Sequence, residues 1–223
     1  MTREGYGTIE KIMLSYMEDS AHDTQHVYRV LGSALKIAKA HPEAELDVLV
    51  AACLLHDIGR GVQNRNPGVS HAEAGAEMAL QHLLALGWDA ARAGRVADAV
   101  RAHRFRSDAP PETIEAKILY DADKLDVTGA MGVARTLLYQ GAMGEPLYRV
   151  DGRGEAMDGH EDEPGFMNEY VYKLSRLYGG FFTPEAGAMA APRAKAARDF
   201  YQNLLGEARS ASPLAARLNE VLL

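Results

Sequence analysis

Apolar residues recur along this chain with the spacing of helices, and no alternating run is long enough to predict a strand. Ile9 to Met17 is a short amphipathic stretch. Thr24 to Ala40 places Val27, Val30, Leu31, Ala34, Leu35 and Ala38 on one face, and His41-Pro42 ends it, because the residue before proline is pushed out of the helical region. Leu46 to His56 is apolar on almost every side, which predicts a central, buried helix. Gly59 and Gly61 stop that helix and open a loop from Arg60 to Gly68. Ser70 then reads as an N-cap, with Glu73 as its capping-box partner, for a helix that runs to about Leu86 and stops at Gly87. Ala90 to Ala102 is a further helix. After a turn at Pro110-Pro111, Thr113 to about Tyr139 reads as one or two helices around Asp123. Between Glu145 and Gly165 the pattern lapses: seven residues are acidic and six are Gly or Pro, so this stretch reads as a loop of lid or disordered type. Phe166 to Leu223 returns to helical periodicity, with Pro184 and Pro192 between two helical stretches, and reads as packing onto the first part rather than as a separate domain. The expectation is one all-α domain spanning residues 1–223.

Composition changes this picture little. The 223 residues are 47% hydrophobic and 25% charged, which suits one globular domain with a substantial core. The net charge of −7 argues against stable nucleic-acid binding and against anionic membrane surfaces. An anionic substrate would need a local positive charge, from a metal ion or a cluster of Arg and Lys. The single cysteine, Cys53, allows no internal disulfide and reads as a small core hydrophobe. No signal-peptide pattern occurs from Met1 to Ser20 and no apolar run approaches a membrane span, so a cytoplasmic location is expected. Oligomeric state is not readable.

Four polar residues stand out against this apolar pattern. His56 and Asp57 end the most hydrophobic run, and an ionised carboxylate there is costly unless it is paired or bound to a metal. His26 points to the core because Val30 continues its face, and Asp123 follows Ile118, Leu119 and Tyr120. Taken alone, a core-facing histidine is more often a satisfied structural residue than a ligand. Taken together, His26, His56, Asp57 and Asp123 form a candidate divalent-metal site. Imidazole and carboxylate donors suit zinc, manganese, iron, cobalt or nickel, with magnesium as a further candidate. A divalent ion there would supply a nucleophilic water near neutral pH. No Walker loop or dinucleotide fingerprint occurs, and the acidic segment starting at Asp151 fails the calcium-loop pattern.

The strings "AHDTQHVYRV" (21–30), "AACLLHDIGR" (51–60) and "DADKLDVTGAMGVART" (121–136) occur in this order. In that order they resemble the HD-domain metal-dependent phosphohydrolases, and most of all a small bacterial branch. The resemblance covers roughly residues 5 to 205. It implies an all-α, HD-domain helical bundle, here with a C-terminal helical extension, and His26, His56, Asp57 and Asp123 as metal ligands. It further implies hydrolysis of a phosphoester or phosphoanhydride in a small anionic substrate, most plausibly a nucleotide. Asp57 is then both ligand and catalytic residue. Asp126 either orients a ligand histidine, acts as general base or is a surface carboxylate. Lys124 either contacts a phosphate or reaches solvent, and Asp121 caps or braces its segment. In some members additional histidines hold a second metal; His71 and His103 read here as pocket wall or substrate contact, and His22 as substrate contact or brace. Where some relatives carry a Glu three residues after the HD aspartate, this chain has Arg60, which cannot be the base but suits a phosphate clamp. Arg101, His103, Arg104 and Arg106 form a local basic cluster, read as a solvated face or as a rim attracting an anion. An HD-fold di-iron oxygenase and a non-catalytic metal or nucleotide sensor are the alternatives.

Overall fold

The computed structural model describes residues 1–17, 24–104, 110–159 and 163–211. Among these the chain forms ten α-helices and one 3-10 helix, with no strand beyond an isolated antiparallel bridge between Val150 and Ala156, so the all-α expectation holds. The helices are α1 (Arg3–Tyr16), α2 (Thr24–Ala38), α3 (Leu46–Leu55), α4 (Arg60–Arg65), α5 (His71–Ala85), α6 (Ala90–Ala102), α7 (Ile114–Leu125), α8 (Gly129–Ala142), α9 (Phe166–Tyr172) and α10 (Pro184–Ala211), with the 3-10 helix at Leu174–Gly179. No described helix is long and apolar enough to cross a membrane.

The helices fall into two compact units, one of residues 1–126 with 182–186, the other of 127–181 and the chain from 187 onward. The first is built around α3. Val48, Leu49, Ala51, Ala52, Cys53, Leu54 and Leu55 are all buried, as its lack of a polar face requires, and α1, α2, α6 and α7 pack around it. Helices α5 and α6 pack against each other, and both bury small side chains: Ala72, Ala76 and Ala79 on the one, Ala93 and Ala97 on the other. Asp121 braces the end of this unit. Its Oδ1 accepts from the Phe182 amide at 2.9 Å, and its Oδ2 accepts from the amide and the hydroxyl of Thr183, each at 2.7 Å. In the second unit Val133, Phe166, Met167, Tyr170, Leu174 and Ala197 form the core, with Tyr170 stacked on Tyr201. Within its acidic segment, the Asp151 carboxylate accepts from the amides of Arg153 and Glu155 and closes a tight turn.

Several local expectations need correction. The stretch from Arg60 contains a helix, α4, too short for any hydrophobic period to show. Ser70 occupies the N-cap of α5, but its side chain makes no capping hydrogen bond. Leu35 is 40% exposed and does not belong to the core face of α2. Pro192 does not separate two helices; α10 runs through it, because the alanine-rich sequence on either side carries enough helix propensity to absorb one missing N–H bond.

Candidate metal centre

The first unit gathers six buried or half-buried ligand-type residues from five places along the chain. His26 comes from α2, His56 and Asp57 from the end of α3, His71 from the first residue of α5, His103 from the end of α6 and Asp123 from α7. Asp57 is central. Its Oδ2 lies 3.7 Å from His26 Nε2 and 3.6 Å from His56 Nε2, while its Oδ1 lies 3.6 Å from the Nε2 atoms of both His71 and His103. Asp123 Oδ1 completes the first side at 3.3 Å from His26 Nε2. Two ligand groups result, His26–His56–Asp123 and Asp57–His71–His103, with Asp57 presenting one oxygen to each.

Each histidine is held by its other nitrogen. His26 Nδ1 lies 2.7 Å from Asp126 Oδ2. His56 and His103 occupy the C-caps of α3 and α6, where carbonyls of the last turn lack amide partners. Their Nδ1 atoms take up the Cys53 and Val100 carbonyls at 2.8 and 2.6 Å. His71 Nδ1 lies 2.6 Å from Gln63 Oε1. All four face acceptors, so Nδ1 carries the proton and Nε2 turns a lone pair inward. Arg104 Nη1 also reaches His71 Nδ1, at 3.1 Å, but the shorter Gln63 contact sets the tautomer.

The electrostatics match. Burial pushes His56 down to about 4, and burial together with the neighbouring Arg60 pushes His71 down to about 3, so both are neutral near pH 7. Burial alone would raise Asp57 and Asp123; the imidazoles, and Arg60 in the case of Asp57, hold both below the ordinary carboxylate range. Neutral imidazole and ionised carboxylate are the protonation states a metal requires.

These residues fit a metal on three observations. Asp57 Oδ2 is buried and has no hydrogen-bond partner, which costs free energy unless a cation meets it. Lone pairs face each other across 3.4 Å between His26 and His56 and 3.3 Å between His71 and His103, a contact that a shared cation turns from repulsive to favourable. Those spacings also match ligand atoms sharing one ion, which lie about 3–3.5 Å apart for bonds of roughly 2.1 Å.

The remaining predicted residues divide. Asp126 is buried and fully engaged: besides His26 it accepts from Arg29 Nε at 2.7 Å and from Arg29 Nη2 at 3.0 Å. Arg60 Nε donates to Asp57 Oδ1 at 2.9 Å with its head partly exposed. The Lys124 ammonium lies over the Tyr120 ring at 4.6 Å. His22 and Arg106 lie outside the described residues. Arg101 pairs with Glu73 and Asp98 on the surface. Sequence reasoning missed Arg29 and Gln63. Arg29 had a signal, being one helical turn after His26; Gln63 had none.

The family model for the HD domain matches residues 24–128. The Bacillus subtilis protein YpgQ is 29% identical over 180 residues, 79% of each chain. Among solved structures, a predicted HD superfamily hydrolase from an uncultured Thermotogales bacterium is 30% identical with a TM-score of 0.59, covering 92% of this chain and 91% of its own. The structure of YpgQ in complex with ADP is 26% identical with a TM-score of 0.69, covering 91% of this chain and 97% of its own.

Proposed function

The chain belongs to the HD superfamily, and on that premise we propose that it is a metal-dependent phosphohydrolase that cleaves a phosphoester or phosphoanhydride of a small anionic substrate, a nucleotide above all. The observation that carries this reading is Asp57, a buried carboxylate presenting one oxygen to each of two ligand groups. In this reading His26, His56, Asp57 and Asp123 hold a divalent transition metal. His71 and His103, expected from sequence at the pocket wall or on substrate, are reassigned to a second ligand group. When bound, the metal polarises a phosphoryl oxygen and acidifies a water.

The chain's own residues do the rest. Asp126 orients His26 and is not the base, since both its oxygens are already engaged. Asp123 is the most exposed of the six candidate ligand residues, so substrate would reach the cluster from its side. Arg60, and Arg104 beside His71, supply the positive charge that an acidic protein needs for an anion. Lys124, held over Tyr120, is a weaker candidate for phosphate. The solved complex of YpgQ with ADP supports a nucleotide.

Phosphate release from a nucleotide panel with Mn²⁺, Co²⁺, Ni²⁺ or Mg²⁺ tests the proposal. Asp57→Ala should abolish metal-dependent hydrolysis and leave the metal-free protein folded, because it removes a buried anion lacking a partner at Oδ2. Full activity of Asp57→Ala at saturating Mn²⁺ would reject the reading. The two ligand groups also favour a second reading, a di-iron oxygenase; two irons per chain together with dioxygen uptake and no phosphate release would select it.

A further inference from the structure

Arg60 stands in an unusual place for a residue whose only task is to meet substrate. Its Nε donates to Asp57 Oδ1, the oxygen that the second ligand group shares with His71 and His103. Asp57 Oδ2, on the side of His26, His56 and Asp123, has no hydrogen-bond partner. One side of the carboxylate is therefore open to a cation, and the other already carries one.

The charges sharpen the asymmetry. The first group brings Asp123, and Asp57 Oδ2 faces its two imidazoles, so two carboxylates meet one divalent ion there. The second brings only its share of Asp57, and two guanidinium groups stand beside it: Arg60 on Asp57 and Arg104 on His71 Nδ1. Asp126, a further buried carboxylate among the described residues, is taken up by Arg29 and His26. A second divalent ion would meet Arg60 across a single oxygen, and among the described residues its ligand group holds no further carboxylate to offset it.

We propose that Arg60 sets the number of ions this centre holds: its guanidinium occupies the second cation position on Asp57, leaving a single tight metal, and that position opens only when Arg60 is drawn away by an anion or removed. This rests on the metal-centre reading given above and adds to it a residue that decides stoichiometry. It also gives Arg60 two alternating partners, the Asp57 carboxylate and a substrate phosphate, both of which suit its planar fork.

The test is metal binding itself. Metal-stripped wild type and Arg60→Gln are titrated with Mn²⁺, with bound metal counted by equilibrium dialysis and the loaded forms compared by electron paramagnetic resonance. Wild type should bind one tight Mn²⁺ per chain and give the spectrum of an isolated ion. Arg60→Gln should bind a second Mn²⁺ at least tenfold more tightly than wild type does and give the signature of a coupled pair. Arg60→Lys keeps the charge and should resemble wild type. His71→Ala added to Arg60→Gln should return the count to one, placing the gained ion in the second group. Arg60→Met, equally uncharged, replaces Arg60→Gln if the latter misfolds. One tight ion in both wild type and Arg60→Gln, two tight ions in wild type, or a second ion that survives His71→Ala would each overturn the role of Arg60 while leaving the metal centre intact. Absence of Mn²⁺ binding from wild type and variants alike would overturn the metal centre as well.

Discussion

Asp126 shows how a residue legible in the sequence acquires its role only from its partners. Its position three residues after Asp123 left orientation, base chemistry and a surface position all open. In the reading proposed above, its bonds to His26 and Arg29 favour orientation of the histidine. Asp126→Asn keeps an acceptor for His26 Nδ1 but loses the charge and the two-pronged pairing with Arg29. Removing such a supporting group typically weakens metal binding about 10–100-fold, and Mn²⁺ affinity of the metal-stripped variant measures it; an unchanged dissociation constant would return Asp126 to a packing role. The first four candidate ligands were legible because each is a costly polar group inside an apolar run. His71 and His103 were visible as histidines but not as ligands. They stand 32 residues apart, one at the first residue of α5 and the other at the C-cap of α6, and no local spacing encodes their 3.3 Å approach. What His56 and His103 have in common is subtler: each caps a helix and turns Nδ1 back to the carbonyl three residues earlier.

At the scale of elements, the centre depends on how closely α3 and its following turn press against α5. Gly59 makes that approach possible. A Cβ at this position would lie 2.2 Å from the His71 carbonyl oxygen and 2.5 Å from the Gly75 amide nitrogen, both backbone atoms that move only if α5 moves. Gly59→Ala should therefore destabilise the fold by about 1–3 kcal/mol and weaken metal binding as His71 is carried away from Asp57. A melting temperature and Mn²⁺ affinity equal to wild type would show that α5 yields without cost. The sequence marked Gly59 as a helix stop; the demand for contact with α5 depends on tertiary structure and was not legible. A second inter-element link is His41, after α2, which bonds Glu43 and Glu185, the latter in the first turn of α10, each at 3.1 Å. Burial works to lower its pKa, but the two carboxylates raise it above the free value of about 6.5. A group raised on folding contributes fully below its unfolded pKa and loses that contribution as pH rises through the folded one. The melting-temperature deficit of His41→Gln should thus be larger at pH 6 than at pH 8.5, and an equal deficit at both would remove the charge from the explanation.

For the whole molecule, helical content was the easiest feature to read, since period and breakers repeat along the entire chain. Its division into two compact units was not, because the boundary after Asp126 falls inside the stretch from Thr113 to about Tyr139, where the helical pattern runs on without a change in kind. We propose that the chain nevertheless unfolds as one domain. Every candidate ligand lies in the first unit, and α10 begins there, under the Asp121–Thr183 bonds, and continues unbroken into the second. On this proposal the helix shared by the two units couples their unfolding, and stabilisation at the metal centre reaches both. Ligand bound only to the native state adds about 2.7 kcal/mol at a hundred times its dissociation constant. For a chain of this length that corresponds to a rise of about 5–10 °C in melting temperature. Calorimetry of the metal-stripped protein should show one transition that Mn²⁺ moves upward as a whole. Two resolved transitions, with Mn²⁺ shifting only one, would assign the centre to an independently folding first unit and reject the single-domain reading.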